Sequence, residues 1–87
     1  MQYLSDTTMC GILAKVQEIQ PVALKKGYSF HLDAARQDWS EPHISISVTI
    51  FHDNDIILSY DFYAHDTEEQ ANALVEKIRA DVDALNA

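Results

Sequence analysis

The chain has 87 residues, a hydrophobic content of 47% and a formal net charge of −8. This length predicts one small domain over residues 1–87, and this apolar content is typical of a folded protein rather than a disordered one. No apolar run approaches the roughly 18 residues that cross a bilayer, and the first nine residues lack the basic and apolar segments of a secretory leader. The acidic charge disfavours nucleic acid and anionic membranes as partners.

The single cysteine, Cys10, excludes a disulfide within the chain. A chain without disulfides is typical of a reducing compartment, so we expect the cytoplasm as its location. Cys10 lies next to the apolar stripe of the first predicted helix and has no evident base nearby. We therefore predict a core position for it rather than the role of a nucleophile.

The first element in the chain is a helix that Ser5 or Asp6 can cap. Its apolar stripe has helical spacing and consists of Met9, Ile12, Leu13, Val16 and Ile19. Pro21 predicts the end of this helix, because a proline excludes the residue before it from the α region. Residues 25–35 follow as the first predicted strand. Its apolar positions alternate with polar ones and are Tyr28, Phe30, Leu32 and Ala34.

The clearest pattern is at His43–His65, which predicts a β-hairpin with its turn at Asp53–Asp55. Each arm has one apolar face: Ile44, Ile46, Val48 and Ile50 in the first arm, and Ile56, Leu58, Tyr60, Phe62 and Ala64 in the second. A two-residue turn would bury Asp61 against the core, so we predict a three-residue loop with Asn54 or Asp55 in the left-handed region. The resulting register pairs Ile50 with Leu58, Val48 with Tyr60, Ile46 with Phe62, Phe51 with Ile57, and His43 with His65.

The last element is a helix with two possible capping boxes, Thr67 with Gln70 or Asp66 with Glu69. Its apolar stripe consists of Ala71, Leu74, Val75, Ile78, Val82 and Leu85. The predicted order is therefore α-β-β-β-α, an α+β domain. Its three-stranded antiparallel meander has strand order 1-2-3 and carries both helices on one face, and the other face is open.

This element order resembles that of the double-stranded-RNA-binding domain over most of the chain, and the resemblance implies a fold of that kind. The family contacts RNA through a Gly-Pro-x-His loop and through lysines at the start of its last helix. Here the loop ends in Ser40-Glu41-Pro42-His43, without the glycine or the spacing, and the helix begins with Thr67-Glu68-Glu69-Gln70. Acids at the phosphate position reverse its electrostatics, so we expect no RNA contact.

The open face is predicted to carry polar side chains: His31, Asp33, His43, Ser45, Ser47, Asp61 and His65, together with Tyr63. Serine, histidine and aspartate on one surface suggest acyl transfer, but a flat sheet offers neither a concave pocket nor an oxyanion hole, so we predict no catalytic residue. Only His43 and His65 are neighbours in the predicted register, and two ligands do not make a structural zinc site. We expect neither a metal nor another cofactor.

The sequence does not name an activity, and it favours a small non-catalytic interaction domain that acts through its open sheet face or an edge strand. The third strand is an edge with an exposed apolar corner, which predicts a homodimer or a complex with another protein. The candidate contact residues are Phe51, Ile57, Tyr63 and Trp39. One alternative is a small-molecule or metal-binding protein that uses His43, His65, Asp61 and Tyr63. A minor hydrolase is the other.

Overall fold

The computed structural model describes residues 3–37 and 43–86. Its elements are α1 (Asp6–Gln17), α2 (Gln20–Lys25), β1 (Ser29–Gln37), β2 (His43–His52), β3 (Asp55–Phe62) and α3 (Glu68–Asp83). The strands form one antiparallel sheet of order β1-β2-β3. The predicted α-β-β-β-α order is confirmed, with the first helical segment divided into α1 and the short α2. No helix within the described ranges is long and apolar enough to cross a membrane.

Both long helices begin at side-chain caps that the sequence predicted. The Ser5 hydroxyl accepts a hydrogen bond from the Thr8 backbone N–H at 3.1 Å. At α3 the Thr67 hydroxyl accepts from the Gln70 N–H, and the Gln70 side chain accepts from the Thr67 N–H, which is a complete capping box. Each cap satisfies backbone donors that a helix start leaves unpaired and typically contributes about 1 kcal/mol.

The segment around Pro21 differs from the prediction. Helix α1 ends at Gln17, and Pro21 lies in the first turn of α2. A proline is tolerated there because its missing N–H is one of the donors that a helix start leaves without an intrahelical partner. The first strand therefore begins at Ser29 rather than at residue 25. It follows a turn at Gly27, whose φ of +92° favours glycine.

The hairpin of β2 and β3 has the predicted apolar register. Its apolar pairs are Ile50 with Leu58, Val48 with Tyr60, and Ile46 with Phe62. Because successive side chains of a strand point to opposite faces, the same register sends the intervening polar residues outward. Ser47 thus lies opposite Asp61 on the outer face.

The turn that produces this register is not the predicted loop. Asp53 and Asn54 both have positive φ, 51° and 69°, as in a two-residue hairpin turn. This turn pairs Phe51 with Ile56, so the predicted pair of Phe51 with Ile57 is wrong. A β-bulge follows, in which Ile57 is the extra residue, and it restores the apolar register for the rest of β3.

The helices pack on one face of the sheet, as predicted, and the core lies between the two layers. The strands contribute Phe30, Ile46, Val48, Ile50, Tyr60 and Phe62, and the helices contribute Met9, Ile12, Val16, Ile19, Ala23, Ala71, Val75, Ile78 and Val82. Burial of this apolar surface is the main source of folding free energy. Ile56 departs from its predicted core position and is 63% exposed. The bulge explains this, because the register shift takes Ile56 out of the core-facing series.

Lys26 binds the C-terminal end of α3 through its side chain. Its ammonium group donates hydrogen bonds to the backbone carbonyls of Val82, Asp83 and Leu85 at 3.0, 2.7 and 3.0 Å. A helix end leaves such carbonyls without intrahelical partners, and a cation there also suits the helix dipole. Lys26 therefore stabilises a helix whose last turn has no basic residue of its own.

Tyr60 joins β3 to α3 by a polar contact at the rim of the core. Its hydroxyl donates to the Asp81 carboxylate at 2.6 Å, and Lys77 donates to the same carboxylate oxygen at 2.8 Å. Burial, together with the hydrogen bond to Asp81, raises the pKa of the Tyr60 phenol above its ordinary value. The hydrogen bonds from Lys77 and Tyr60 hold the pKa of Asp81 below its usual value.

Candidate functional site

The middle of the outer sheet face is a row of polar side chains. Asp33 and Asp61 lie on either side of Ser47 in the strand register. The Ser47 hydroxyl donates to the Asp61 carboxylate at 2.8 Å. This hydrogen bond lies on an exposed part of the sheet face, whereas an acyl-transfer site needs a concave pocket with oxyanion donors.

The hairpin end of the sheet carries the largest exposed aliphatic surface on β3. Ile56 is 63% exposed and Ile57 is 44% exposed, next to the half-buried Phe51. The His31 imidazole meets the Phe51 ring edge-on, with the centroids 6.1 Å apart. We call Phe51, Ile56 and Ile57 the hairpin-tip patch. Of its members, the sequence predicted Phe51 and Ile57 and missed Ile56, because strict alternation assigns Ile56 to the core.

The outer edge of β3 has no neighbouring strand among the described residues. Most of its side chains from Asp55 to Asp61 are exposed, and Asp61 is the one charge inside the strand. Edge strands are often guarded by lysines. On β3 no lysine has that position. The features of β3 that disfavour pairing with another strand are the charge of Asp61 and the bulge at Ile57. From Leu58 to Phe62 the strand is regular.

At the opposite end of the sheet, four rings line a cleft of about 180 Å³. They are Tyr3, His43, Tyr63 and His65. Tyr3 stacks on His43 with the ring centroids 3.9 Å apart and the planes at 21°, and Tyr63 stacks on His65 at 5.2 Å and 8°. We call this the aromatic cleft. Ser45 and Ile44 lie in its wall together with Ala64.

The N-terminal arm closes one side of the aromatic cleft. The Leu4 N–H donates to the Ala64 carbonyl at 2.8 Å, which holds the arm against the segment that follows β3. Tyr3, the residue before Leu4, thereby reaches His43 at the start of β2. The sequence did not single out Tyr3, because residues before the first helix cap have no periodic pattern that shows where they pack.

The structure brings the two predicted neighbours, His43 and His65, to the same cleft. Each imidazole stacks on a tyrosine there. The last paired residues of the β2–β3 ladder are Ile46 and Phe62, so the two histidines lie beyond it. Within residues 3–37 and 43–86, no group of three His, Cys, Asp or Glu side chains is arranged to hold a metal ion.

A second cleft, of about 240 Å³, lies between α1 and the strands. Its lining consists of Met9, Cys10, Leu13, Ala34, Ala35, Arg36 and Ile44. Cys10 is exposed, so its predicted core position is wrong. Successive residues of a helix are rotated by roughly 100°, and this turns Cys10 away from the core that Met9 enters. Arg36 forms an ion pair with Asp6 at 2.7 Å across the same region.

Trp39 lies outside the described residues, as does the Ser40-Glu41-Pro42 segment of the loop that was compared with the RNA-binding family. No protein-family model matches the chain, and no curated protein and no solved structure matches it either. Function is therefore inferred from the surfaces described above.

Proposed function

We propose that the chain is a small non-catalytic protein-interaction domain that acts through the edge of β3 and the sheet face beside it. The observation that carries this proposal is the open β3 edge with exposed apolar side chains at both ends, the hairpin-tip patch at one and Tyr63 at the other. Exposed apolar surface next to an unpaired edge is typical of a contact site, because added strands satisfy the free backbone groups.

A second copy of the chain is the proposed occupant of this edge. Antiparallel pairing of two β3 strands is isologous, so one surface serves both partners and the assembly closes as a dimer. The net charge of −8 on each copy opposes association. Salt screens this repulsion over distances beyond about 10 Å. In an antiparallel pair of identical strands, the two copies of Asp61 face each other only if the two-fold axis passes through that residue.

Catalysis is not part of the proposal. A hydrolase needs a nucleophile, a base and oxyanion donors within a concave pocket, and the hydrogen-bonded pair of Ser47 and Asp61 lies exposed on the sheet face. The small-molecule alternative has one observation in its favour, which is the aromatic cleft. The proposed compartment is the cytoplasm, where an exposed free thiol such as that of Cys10 stays reduced.

Sedimentation equilibrium of three proteins tests the proposed self-association. We expect a dimer for the wild type and a monomer for Ile57→Lys, because the substitution places a charge in the contact. Val22→Lys is the matched control, since Val22 is 38% exposed, against 44% for Ile57, and lies on α2 away from the edge. It should remain dimeric. A wild type that stays monomeric at high concentration, or a dimeric Ile57→Lys, contradicts the proposal.

A further inference from the structure

The aromatic cleft has a lining with an unusual chemical character for a small acidic domain. Two tyrosine and two imidazole rings, together with Ile44, Ser45 and Ala64, line an open cleft of about 180 Å³, and neither lysine nor arginine is among the lining residues of the described chain. The half-buried Asp66 carboxylate lies 3.8 Å from Nε2 of His65, which is one of the lining residues. The formal charge of −8 adds a negative field over the whole surface.

We propose that the aromatic cleft binds an organic ammonium group, of which the quaternary ammonium head is the best-fitting member. The face of a tyrosine ring carries a negative quadrupole that attracts cations, and clusters of aromatic rings recognise quaternary ammonium groups in this way. A quaternary ammonium group has no N–H to donate to water. Its transfer from water to the cleft therefore costs less hydration free energy than that of a primary ammonium. An anion would meet the field of Asp66 and of the acidic surface.

Each ring of the cleft has a stacking partner. Stacking of Tyr3 on His43 and of Tyr63 on His65 limits the rotation of all four side chains. The backbone hydrogen bond from Leu4 to Ala64 fixes the arm that carries Tyr3. A site whose side chains are already ordered loses less entropy on binding, which favours even a small ligand.

Ile57→Lys separates this site from the proposed dimer, because the hairpin-tip patch lies at the far end of β3 from the cleft, and Tyr63 is the one residue that belongs to both proposals. Seven residue steps of roughly 3.3 Å separate Ile56 from Tyr63. The Ile57→Lys protein should therefore bind ammonium groups as the wild type does. If self-association fails and ammonium binding holds, only the dimer proposal is lost, and the reverse result removes only the cleft proposal.

The test is a titration with choline, followed by NMR of the tyrosine ring signals at constant ionic strength. The control ligand is 3,3-dimethylbutan-1-ol, which has the same shape without the charge. We expect saturable shifts at Tyr3 and Tyr63 and binding of choline at least about tenfold tighter than that of the neutral analogue. Equal binding of the two ligands, or no saturable shift with choline, overturns the proposal.

Ring substitutions locate the site. Tyr63→Leu and Tyr3→Leu should weaken choline binding by about tenfold or more, because each removes a ring face, whereas Tyr63→Phe should keep most of the affinity. Phe51→Leu is the matched control, an aromatic-to-leucine change at the other end of the same face, and should bind as the wild type does. Thermal unfolding of each variant confirms that it is folded. A Tyr63→Leu protein that is folded and binds choline normally contradicts the proposal.

The source of the ammonium group follows from a second pair of probes. Choline and a peptide that contains trimethyl-lysine present the same head group. Equal affinity for the two probes would mean that the head group alone accounts for binding, as for a free small molecule. Tighter binding of the peptide would identify a modified lysine of another protein as the ligand, with further contacts from the residues that flank it. Unmodified lysine in the same peptide should bind more weakly, because its ammonium is more strongly hydrated.

Discussion

The two ends of the sheet present opposite kinds of surface. The hairpin-tip patch is apolar, with Ile56 and Ile57 exposed, and it adjoins a strand edge that has no partner strand in the described part of the chain. The aromatic cleft is concave and is closed on one side by the N-terminal arm. An exposed aliphatic surface suits a broad contact with another protein, whereas a small ring-lined space suits a single head group. One strand, β3, thus runs between the two proposed sites.

Phe62→Ala should have the largest effect, because Phe62, the last residue of β3, is fully buried in the core that supports the whole sheet. Loss of a buried phenylalanine costs about 3–5 kcal/mol of unfolding free energy. We expect both the dimer and the choline site to be weakened or lost. Denaturant unfolding measures the cost. Tyr63→Ala, one residue along on the outer face, is the control and should cost much less. Similar costs for the two variants would contradict the assignment of the core face.

Lys26→Met should have the next largest effect and should act at neither end directly. It removes the three hydrogen bonds to the last carbonyls of α3 and should cost about 1–3 kcal/mol of unfolding free energy. Lys25→Met is the neighbouring control. It should change stability by less than about 0.5 kcal/mol, as is usual for exposed sites. Hydrogen exchange should show faster opening of the C-terminal turn of α3 in Lys26→Met, and an unchanged turn would contradict the role of Lys26.

Tyr60→Phe should cost about 1 kcal/mol at neutral pH, because it removes the hydrogen bond to Asp81. The folded state raises the pKa of Tyr60, so its contribution is complete below about pH 10 and declines as the pH rises toward the folded-state value. The stability advantage of the wild type over Tyr60→Phe should therefore shrink above pH 10 or so. Denaturant unfolding across this range measures it, and a constant difference would contradict the pKa shift.

Asn54→Ala should have the smallest effect and should act on the hairpin-tip patch alone. Asn54 has a φ of 69°, in the left-handed region. This conformation costs an ordinary residue up to about 2 kcal/mol, whereas glycine and asparagine adopt it more easily. We expect destabilisation of roughly 1 kcal/mol or less, with choline binding unchanged. Asn54→Gly should be neutral or stabilising. Greater stability for Asn54→Ala than for Asn54→Gly would contradict the turn geometry.

The sequence predicts the register of the hairpin correctly but not the conformation of its turn. Alternation of apolar residues fixed the face and register of β2 and β3, since a slip by one residue would bury Asp61. The turn and the bulge are two compensating irregularities that leave this alternation unchanged beyond Ile57, so the pattern could not reveal them. As a result, Ile56 was assigned to the core and is exposed.

The aromatic cleft depends on contacts between distant parts of the chain. Tyr3, at the N-terminus, meets His43 at the start of β2, and no local pattern encodes that meeting. The sequence predicted His43 and His65 as neighbours by extending the hairpin register, and both line the cleft although the ladder itself ends at Ile46 and Phe62. It similarly found the Thr67 capping box, whose two partners are three residues apart. Local spacing is therefore readable from the sequence, and the path of an aperiodic arm is not.

Concentration-dependent hydrogen exchange of the two edge strands tests the central claim, that β3 is the contact edge, most directly. Backbone amides that point outward from β3 should exchange more slowly as the protein concentration rises, because pairing with a second copy protects them. Outward amides of β1 should exchange at the same rate throughout. Protection that rises on β1 instead, or on neither strand, would contradict the account.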